Sequence, residues 1–343
     1  MTRAALREMP AAEYAAWFYA NRSALLDRGP FHDPAWLRAA GRGVGFDIGY
    51  IGIADGDEIV AAVPGFRAKR GPIHLFGSPL RGTMTSYIGP VSLERTPAGL
   101  EQRDVFIRCA DFARRAWGVT YARFVVRDAP PTDVSLGPEW HQQRPGSYRL
   151  DLRPGEDALF AAAKSHCRRN VRKAAREGVE IVPFDDADLF YDILQDTMRR
   201  HGSASFHPRR FFRELMAELP SRDLMWSFGA RYDGKIIAAG LFLHDDREVH
   251  FLSGASLLEY GSLPTSYLLH WHAITEGVRN GLCVFNSEPS GIESIDAFKE
   301  TFNPVLERRG TQIWARRSVW VAQRAYKSGY DAMRRVRSKV HVG

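Results

Sequence analysis

A lysine set among aromatic residues is the first position in this sequence that could do chemistry. Lys299 follows Phe298, precedes Phe302 and comes shortly after a loop with serine and glycine at residues 286–294. An ammonium group there could hold a phosphate or stabilise the oxyanion that forms during acyl transfer. An attacking amine would also need a proton acceptor, for which the candidates are Glu288, Asp296 and His207. A lone lysine is often only surface charge, so both interpretations stay open.

A run of cations with no acid among them lies between residues 164 and 176. Its members are Lys164, Arg168, Arg169, Arg172, Lys173 and Arg176. Like charges four residues apart oppose a helix by about 0.2–0.5 kcal/mol each. A phosphate, pyrophosphate or RNA backbone would offset that cost through charge-assisted contacts. We expect Arg168, Arg169 and Arg172 to bind an anionic substrate; a solvated face paired with acids elsewhere is an equal alternative.

Small residues mark a possible acyl-donor site further along the chain. Gly254 lies in a predicted strand, and a helix is predicted to begin near Thr265. A strand without bulky side chains lets a ligand approach the backbone, and the free amides at a helix start favour a negative group. The predicted donor-binding positions are Leu252, Ser253, Gly254, Ala255, Ser256, Thr265 and Ser266. Taken alone, the pattern fits an ordinary turn and a capped helix better.

Two similar stretches predict that one structural unit occurs twice. Asp55-Gly56 and Asp233-Gly234 each precede an apolar run, which is typical of a β-hairpin. In each half a long helix follows, over about residues 101–117 and 265–280, and a glycine and a further strand come after it. Three more helices are expected over about residues 157–177, 187–201 and 208–219. We therefore predict a mixed α+β fold with domains at 1–150 and 151–315, the second carrying the site.

Composition and charge exclude several classes of protein. With 343 residues, 45% of them hydrophobic, the chain suits two packed domains rather than a disordered protein. No signal peptide or membrane span is indicated, and three scattered cysteines fit a reduced compartment. No metal site is predicted. We expect a cytoplasmic protein with no tightly bound cofactor.

A basic tail accounts for the formal net charge of +7. Residues 311–343 carry eight Lys or Arg and one Asp, which equals the whole excess. Apolar residues interleave with these cations, so the tail at 316–343 is predicted to be helical and could touch the inner face of an anionic membrane or RNA. A solvated helix packed on the body is at least as good an interpretation.

Taken in order, these segments resemble the Fem-type peptidoglycan-bridge aminoacyltransferases and their relatives in the GNAT acetyltransferase superfamily. The resemblance covers about residues 30–315, and one stretch, residues 201–212, is similar to relatives associated with exopolysaccharide and exosortase gene clusters. The matching segments are Phe31-His-Asp-Pro-Ala-Trp36, Arg168-Arg-Asn-Val-Arg-Lys-Ala174, Asp233-Gly-Lys-Ile-Ile-Ala-Ala239, Leu252-Ser-Gly-Ala-Ser256, Leu263-Pro-Thr-Ser-Tyr-Leu-Leu-His-Trp271 and Phe298-Lys299 with Phe302.

This resemblance implies two tandem GNAT-like domains, each a twisted mixed sheet flanked by helices, with the acceptor held between them. It implies a role for Lys299 in the reaction or in phosphate contact, and for His207 and Arg209 in acceptor binding. Phe298, beside the lysine, is predicted to be a further substrate-binding residue. It also implies acyl transfer to an amine on an amino sugar, or on a small-molecule or lipid-linked envelope or exopolysaccharide precursor. The donor stays open, because the helical hairpin used for transfer RNA and the glycine-rich pyrophosphate loop used for acyl-CoA are both missing.

The alternative from another functional class is a non-catalytic module that binds an anionic polymer or membrane through the arginine run and the tail. Charge is its main support, and it predicts steeply salt-dependent binding. A nucleic-acid regulator is the weakest interpretation, since no recognition motif accompanies the charge, and no DNA partner is expected.

Overall fold

The structure is a computed structural model that describes residues 4–128, 136–200, 207–290 and 292–320. The predicted tail from residue 321 onward, and the first six residues of the 201–212 stretch, lie outside these ranges. None of the helices in the part of the chain that the structure describes has the length and apolar character of a membrane span. Within the same ranges, no group of three or more His, Cys, Asp or Glu side chains could hold a metal ion.

The described residues form fifteen strands and nine α-helices. The helices are α1 (Ala11–Asn21), α2 (Pro34–Val44), α3 (Gln102–Trp117), α4 (Glu156–Ala162), α5 (Ser165–Arg176), α6 (Ala187–Arg200), α7 (Arg209–Glu218), α8 (Thr265–Arg279) and α9 (Glu293–Lys299). The strands are β1 (Ala5–Glu8), β2 (Asp47–Asp55), β3 (Glu58–Arg70), β4 (Ile73–Ser78), β5 (Val91–Ser92), β6 (Tyr121–Val126), β7 (Trp140–Gln143), β8 (Gly146–Asp151), β9 (Glu180–Pro183), β10 (Met225–Tyr232), β11 (Lys235–His244), β12 (Glu248–Ser256), β13 (Val284–Ser287), β14 (Val305–Arg308) and β15 (Gly310–Ala315).

Two mixed sheets carry the fold. The first has the order β1-β2-β3-β4-β6-β15-β7, with β5 paired to β3, and the second has the order β14-β8-β13-β12-β11-β10-β9. Among the described strands each sheet contains a single parallel pair, β4 with β6 and β12 with β13. A long helix connects the two strands of each pair, α3 in the first half and α8 in the second. The predicted α+β class is confirmed.

The two halves repeat the same β-bulge, in the hairpin that each of them contains. The hairpin β2–β3 turns at Asp55 and Glu58, and β10–β11 turns at Tyr232 and Lys235. In both hairpins the register shifts at the same place, where the third residue of the second strand has no partner opposite it. A β-bulge of this kind bends a strand and increases its twist. The two halves therefore share a local distortion as well as an order of elements.

The boundaries between the halves differ from those predicted. The chain crosses from one sheet to the other between Gln143 and Gly146, so the predicted boundary near residue 150 falls inside β8. The last strand, β15, was expected in the second domain but pairs with β6 and β7 of the first sheet. Sequence periodicity cannot reveal this return, because the pattern of a strand does not depend on which sheet receives it.

The single helix predicted over residues 157–177 is two helices. The break falls at Ala163 and Lys164, whose backbones are extended. The amide of Lys164 donates to the carbonyl of Thr301, and the Arg168 guanidinium donates to the carbonyls of Ala161 and Ala163 at the end of α4. These contacts satisfy backbone groups that a continuous helix would have paired internally.

An extensive apolar interface joins the two halves. One buried cluster includes Trp36 and Phe66 from the first half and Phe211 and Leu241 from the second. Helices α2 and α7 pack closely there, since a Cβ added to Gly43 would lie 2.8 Å from the Cα of Phe211. The two sheets thus meet across a common core, and polar groups buried in it are placed with little freedom.

Candidate active site

A gap between two parallel strands defines the candidate site. Strands β12 and β13 pair over only three positions, ending where His250 lies opposite Asn286. Beyond His250, no described strand pairs with this edge of β12, which continues to Ser256. The diverging strands leave backbone groups of β12 able to bond a ligand. The predicted donor positions Leu252, Ser253, Gly254 and Ala255 all lie on this segment.

A bulge distorts β12 at the start of the gap. Ser253 lies opposite Leu241 and Phe251 lies opposite Phe242, so Leu252 is an extra residue with no partner in β11. Bulges next to active sites re-aim backbone and side-chain groups. At the far end, Ser256 exchanges two hydrogen bonds of 3.0 Å with the Thr197 hydroxyl of α6. The part of the edge that stays available is therefore centred on Leu252 to Gly254.

The side chain of Lys299 lies beside the same gap. It is the last residue of α9, and its ammonium donates to the carbonyl of Glu288, which directly follows β13. The ammonium also lies 5.9 Å from the centre of the Phe251 ring on β12. The ammonium is thus close to residues of both diverging strands. The side chain is buried, so the alternative that Lys299 is only a surface charge is wrong.

Burial lowers the pKa of Lys299, although the charges of Asp296 and Glu288 act in the other direction. Within the described residues no carboxylate lies within ion-pair distance of the ammonium, so its charge is only partly compensated. A small pocket of about 10 Å³, roughly the room of one water molecule, adjoins it, and the lining residues are Tyr148, Leu150, His270, Phe285, Ser287, Phe302 and Pro304. A buried cation with no carboxylate partner among the described residues is suited to meet a developing negative charge.

The two predicted carboxylate bases have structural partners. Glu288 accepts a 2.7 Å contact from buried Arg309 and a hydrogen bond from Ser147. Asp296 accepts hydrogen bonds from the Ser290 amide and hydroxyl, at 2.6 and 2.9 Å, and so holds the loop before α9. These contacts give both carboxylates a structural role as hydrogen-bond acceptors. Their role as general bases stays a prediction.

The corresponding gap of the first half is closed by the chain itself. Strands β4 and β6 pair in parallel and end at Ser78 and Phe124. The segment between β4 and β5 enters there. The Ile88 amide donates to the Val125 carbonyl, and the Gly89 amide donates to both the carbonyl and the hydroxyl of Ser78. Backbone groups that would bind a ligand are therefore already satisfied. Of the two repeated units, the second has the more open slot.

The beginning of α8 lies near the basic helix α5. Lys173 donates to the carbonyl of Ser262, 3.0 Å away, in the turn before α8. Thr265 is buried in the first turn of α8, whereas Ser266 is exposed and its carbonyl bonds the His270 ring. The N-terminus of a 15-residue helix and a row of cations thus border one another, a combination that favours phosphate.

The cations of α5 do not form the ion pairs that a purely structural face would have. Among the described residues, no carboxylate lies within 4.0 Å of Arg168, Arg169, Arg172, Lys173 or Arg176. Arg168 caps α4, as described above, and Arg172 stacks over the Phe160 ring at 5.1 Å. Arg169 is exposed. A row of cations without carboxylate partners is therefore present among the described residues, although Arg168 is occupied by backbone carbonyls. Anion binding by this row stays a prediction.

Three other predicted substrate-binding residues have packing or ion-pair roles. Arg209 contacts Asp188 and Asp192 and lies over the Tyr191 ring at 4.6 Å. His207 stacks on Phe211 with ring centres 4.7 Å apart, and burial lowers its pKa. Phe298 packs edge-on against Tyr267 and His270 on the Lys299 side of the sheet. The structure thus places Phe298 beside Lys299 and places His207 and Arg209 with the helices at the interface between the halves.

Sequence analysis missed a buried polar cluster at the vertex of the gap, which is the point where β12 and β13 begin to separate. Glu248 accepts hydrogen bonds from the Tyr87 hydroxyl, from Arg127 at 2.8 Å and from Asn286 at 3.1 Å, and its carboxylate lies 3.2 Å from His250. Burial alone would raise the pKa of this carboxyl, but His250, Arg127 and Tyr87 outweigh it and hold the pKa far below its usual range. The available signal was a Glu and a His inside an otherwise apolar strand.

Comparisons with known proteins agree with this geometry. Residues 161–288 match the family described as "Acetyltransferase (GNAT) domain". No curated protein matches the sequence significantly.

The structure is similar to that of FemX, with a TM-score of 0.68 at 10% identity, covering 93% of this chain and 99% of FemX. It is also similar to a tandem GNAT protein from the clavulanic acid biosynthesis pathway, with a TM-score of 0.57 at 12% identity over 91% of this chain and 98% of that protein. A third similar structure is L-PGS from Bacillus licheniformis, with a TM-score of 0.52 at 15% identity over 84% of this chain and 94% of that one. The tandem GNAT-like architecture is confirmed; at these identities the similarity shows the fold alone.

Proposed function

We propose that this protein is an N-acyltransferase whose second half moves an acyl or aminoacyl group to an amine. The observation that carries the proposal is the meeting of the Leu252 bulge and the Lys299 ammonium in the gap between β12 and β13. The family match over residues 161–288 supports it, because that region includes the gap-forming strands. The closed slot of the first half supports placing the reaction in the second.

The proposed reaction begins with the donor carbonyl at the bulged edge of β12. Amides near Leu252 to Gly254 would polarise it, and Lys299 would stabilise the negative charge that develops on attack or on the leaving group. The reaction needs no redox or radical step, so positioning and electrostatics supply the rate enhancement. A preorganised cation in a buried site costs little reorganisation at the moment of reaction.

The donor's phosphates are proposed to lie at the start of α8 beside α5. The α8 amides, Lys173 and the exposed arginines Arg169 and Arg172 offer donors and positive charge there. This chemistry suits the phosphates of an acyl-CoA co-substrate and of an aminoacyl-tRNA alike. No tightly bound cofactor is required by either.

The acceptor is proposed to be an amine on a small-molecule or lipid-linked precursor of the cell envelope, such as an amino sugar of an exopolysaccharide. The resemblance of the motifs to Fem-type enzymes and their exopolysaccharide-associated relatives supports this choice. We further propose that the protein works in the cytoplasm, at the inner face of the membrane, where the basic tail would contact anionic lipid. The acceptor would enter between the two halves.

A thermal-shift screen tests the proposal. The purified protein is heated with acetyl-CoA, longer acyl-CoAs, aminoacyl-tRNA, nucleotide sugars and anionic lipid vesicles, since a ligand selective for the native state raises the melting temperature. A shift with one acyl donor that an R169A/R172A variant reduces would support acyl transfer and identify the donor class. No shift with any acyl donor would contradict it.

The second candidate is a binding module for an anionic polymer or membrane. The unpaired exposed arginines of α5 favour it. It predicts shifts with anionic vesicles alone, abolished by added salt because screening and counterion release weaken such contacts.

A further inference from the structure

We propose that His250 is the general base that accepts the proton of the acceptor amine, with Glu248 as the residue that positions its imidazole. The proposal rests on the acyl transfer proposed above and supplies the proton acceptor that the reaction needs. It depends on three observations: where His250 lies, how its ring nitrogens are bonded, and which charges surround it.

His250 lies at the vertex of the gap between β12 and β13. It forms the last parallel pair with Asn286, two residues before the bulge at Leu252. Its ring contacts Phe31 and Tyr87 of the first half, with ring centres 4.7 and 5.7 Å away. His250 therefore faces the interface between the halves, whereas Lys299 approaches the gap from the helix α9 side.

The imidazole is buried, and its bonding leaves one nitrogen without a partner. Nε2 lies 3.2 Å from one oxygen of the Glu248 carboxylate. The side-chain amide nitrogen of Asn286 lies 3.2 Å from Nε2 and donates to the other oxygen of the same carboxylate, so Nε2 and the amide can both donate to Glu248. A carboxylate at Nε2 favours a proton on that nitrogen and leaves the lone pair on Nδ1, which makes Nδ1 the basic atom. Within the described residues Nδ1 has no hydrogen-bond partner. A carboxylate that fixes the tautomer also stabilises the imidazolium formed when Nδ1 takes a proton.

The surrounding charges hold Glu248 ionised. Arg127, at the end of β6, donates to its carboxylate, and the Tyr87 hydroxyl donates to the same oxygen. Arg309 stacks over the Tyr87 ring at 4.7 Å, and His32 lies 6.0 Å from that ring. Glu248 is the acid among these groups, and it directly contacts His250, which makes it the group that compensates the imidazolium.

The proton balance of the step is complete. An N–H bond of the bound ammonium breaks and an Nδ1–H bond forms, and the freed lone pair attacks the acyl carbon. When the tetrahedral intermediate collapses, the bond to the donor sulfur or oxygen breaks. The leaving group departs with the second amine proton, and His250 returns its proton to solvent. The third amine hydrogen stays on the amide product.

The first test reads the tautomer without any substrate. Long-range proton–nitrogen correlation spectra of the full-length protein with labelled histidine are recorded from about pH 5 to about pH 9, and H250Q assigns the signal. We expect a proton on Nε2 and a bare Nδ1 at high pH, and a loss of this tautomer preference in E248Q. A proton on Nδ1 instead would overturn the proposal.

The second test uses turnover of acetyl-CoA and, separately, of aminoacyl-tRNA with a panel of primary amines. H250Q is expected to lower kcat about 10²- to 10⁴-fold and to remove the low-pH limb of the rate profile, with donor-induced thermal shifts retained. H244Q is the matched control, since His244 is a buried strand histidine that stacks on Trp226, and it should keep the wild-type profile. A wild-type profile in H250Q would overturn the assignment while leaving the proposed function intact. Absence of turnover in the wild type counts against the proposed function, and the spectra still decide the tautomer.

Discussion

The guanidinium of Arg127 lies 2.8 Å from the carboxylate of Glu248, although the two residues belong to different sheets. Arg127 directly follows β6, which borders the closed slot of the first half, and Glu248 begins β12, which borders the open slot of the second. This buried pair links the two repeated units at the vertex of the candidate site. In the proposed reaction this link holds the Glu248 carboxylate in place beside His250.

Breaking the pair should destabilise the protein strongly. R127M removes one charge and leaves the other buried, which costs about 3–5 kcal/mol in comparable cases. The free energy of unfolding in urea measures the effect. The exposed pair of Arg115 and Asp111 on α3 is the control, and R115M should change the free energy by no more than about 1 kcal/mol. Equal effects of the two variants would show that the buried pair is not special.

Removing the ammonium of Lys299 should lower activity without lowering stability. In K299M the buried cation is replaced by an apolar chain of similar length, so we expect kcat to fall about 10²- to 10³-fold, as for the loss of one oxyanion donor. The melting temperature should hold or rise, because a partly compensated buried charge is gone. K235M, at an exposed lysine paired with Glu259, is the control for general effects. Unchanged turnover in K299M would remove the lysine from the mechanism.

The exposed arginines of α5 should control donor affinity and its salt dependence. R169A/R172A is expected to weaken binding of the acyl donor and to flatten the plot of affinity against salt concentration, because fewer counterions are displaced. Titration calorimetry at several salt concentrations measures both. R114A/R115A on α3 provides a double variant with the same charge change, and it should bind the donor as the wild type does. If both double variants bind equally, α5 does not contact the donor.

Two buried histidines should make the protein less stable in mild acid. Burial lowers the pKa of His270 to about 3 and that of His32 to about 4. The unfolded chain takes up a proton near pH 6.5 and the folded chain does not, so the free energy of unfolding falls as the pH drops from about 6.5 towards these values. Between pH 7 and pH 5 each histidine should account for about 2 kcal/mol. H270F should reduce the loss by that amount, and an unchanged loss in H270F would show that His270 is not one of the groups responsible.

Much of the fold could be predicted because its signals are local. The two Asp-Gly turns, the helix ends at Gly118 and Gly281, and the repetition of the unit all depend on neighbouring residues. The break between α4 and α5 could not be predicted, since it depends on Thr301, which lies far along the chain. The return of β15 to the first sheet is equally non-local.

Sequence context alone pointed to Lys299 and to the β12 segment, and the structure brings both to the same gap. Their roles in the reaction stay predictions. Arg209 was placed in acceptor binding by resemblance, and the structure gives its guanidinium Asp188 and Asp192 as partners. The cluster around Glu248 was missed because its partners Tyr87 and Arg127 are more than a hundred residues away.

Hydrogen–deuterium exchange with and without donor tests most directly whether the second half binds the acyl donor. Acetyl-CoA and aminoacyl-tRNA are added separately to the full-length protein, and amide exchange is followed across both repeated units. We predict that one of them protects residues 252–256 and the start of α8, while the closed slot at β4 and β6 is unchanged. Protection confined to the first half, or none with either donor, would contradict the account.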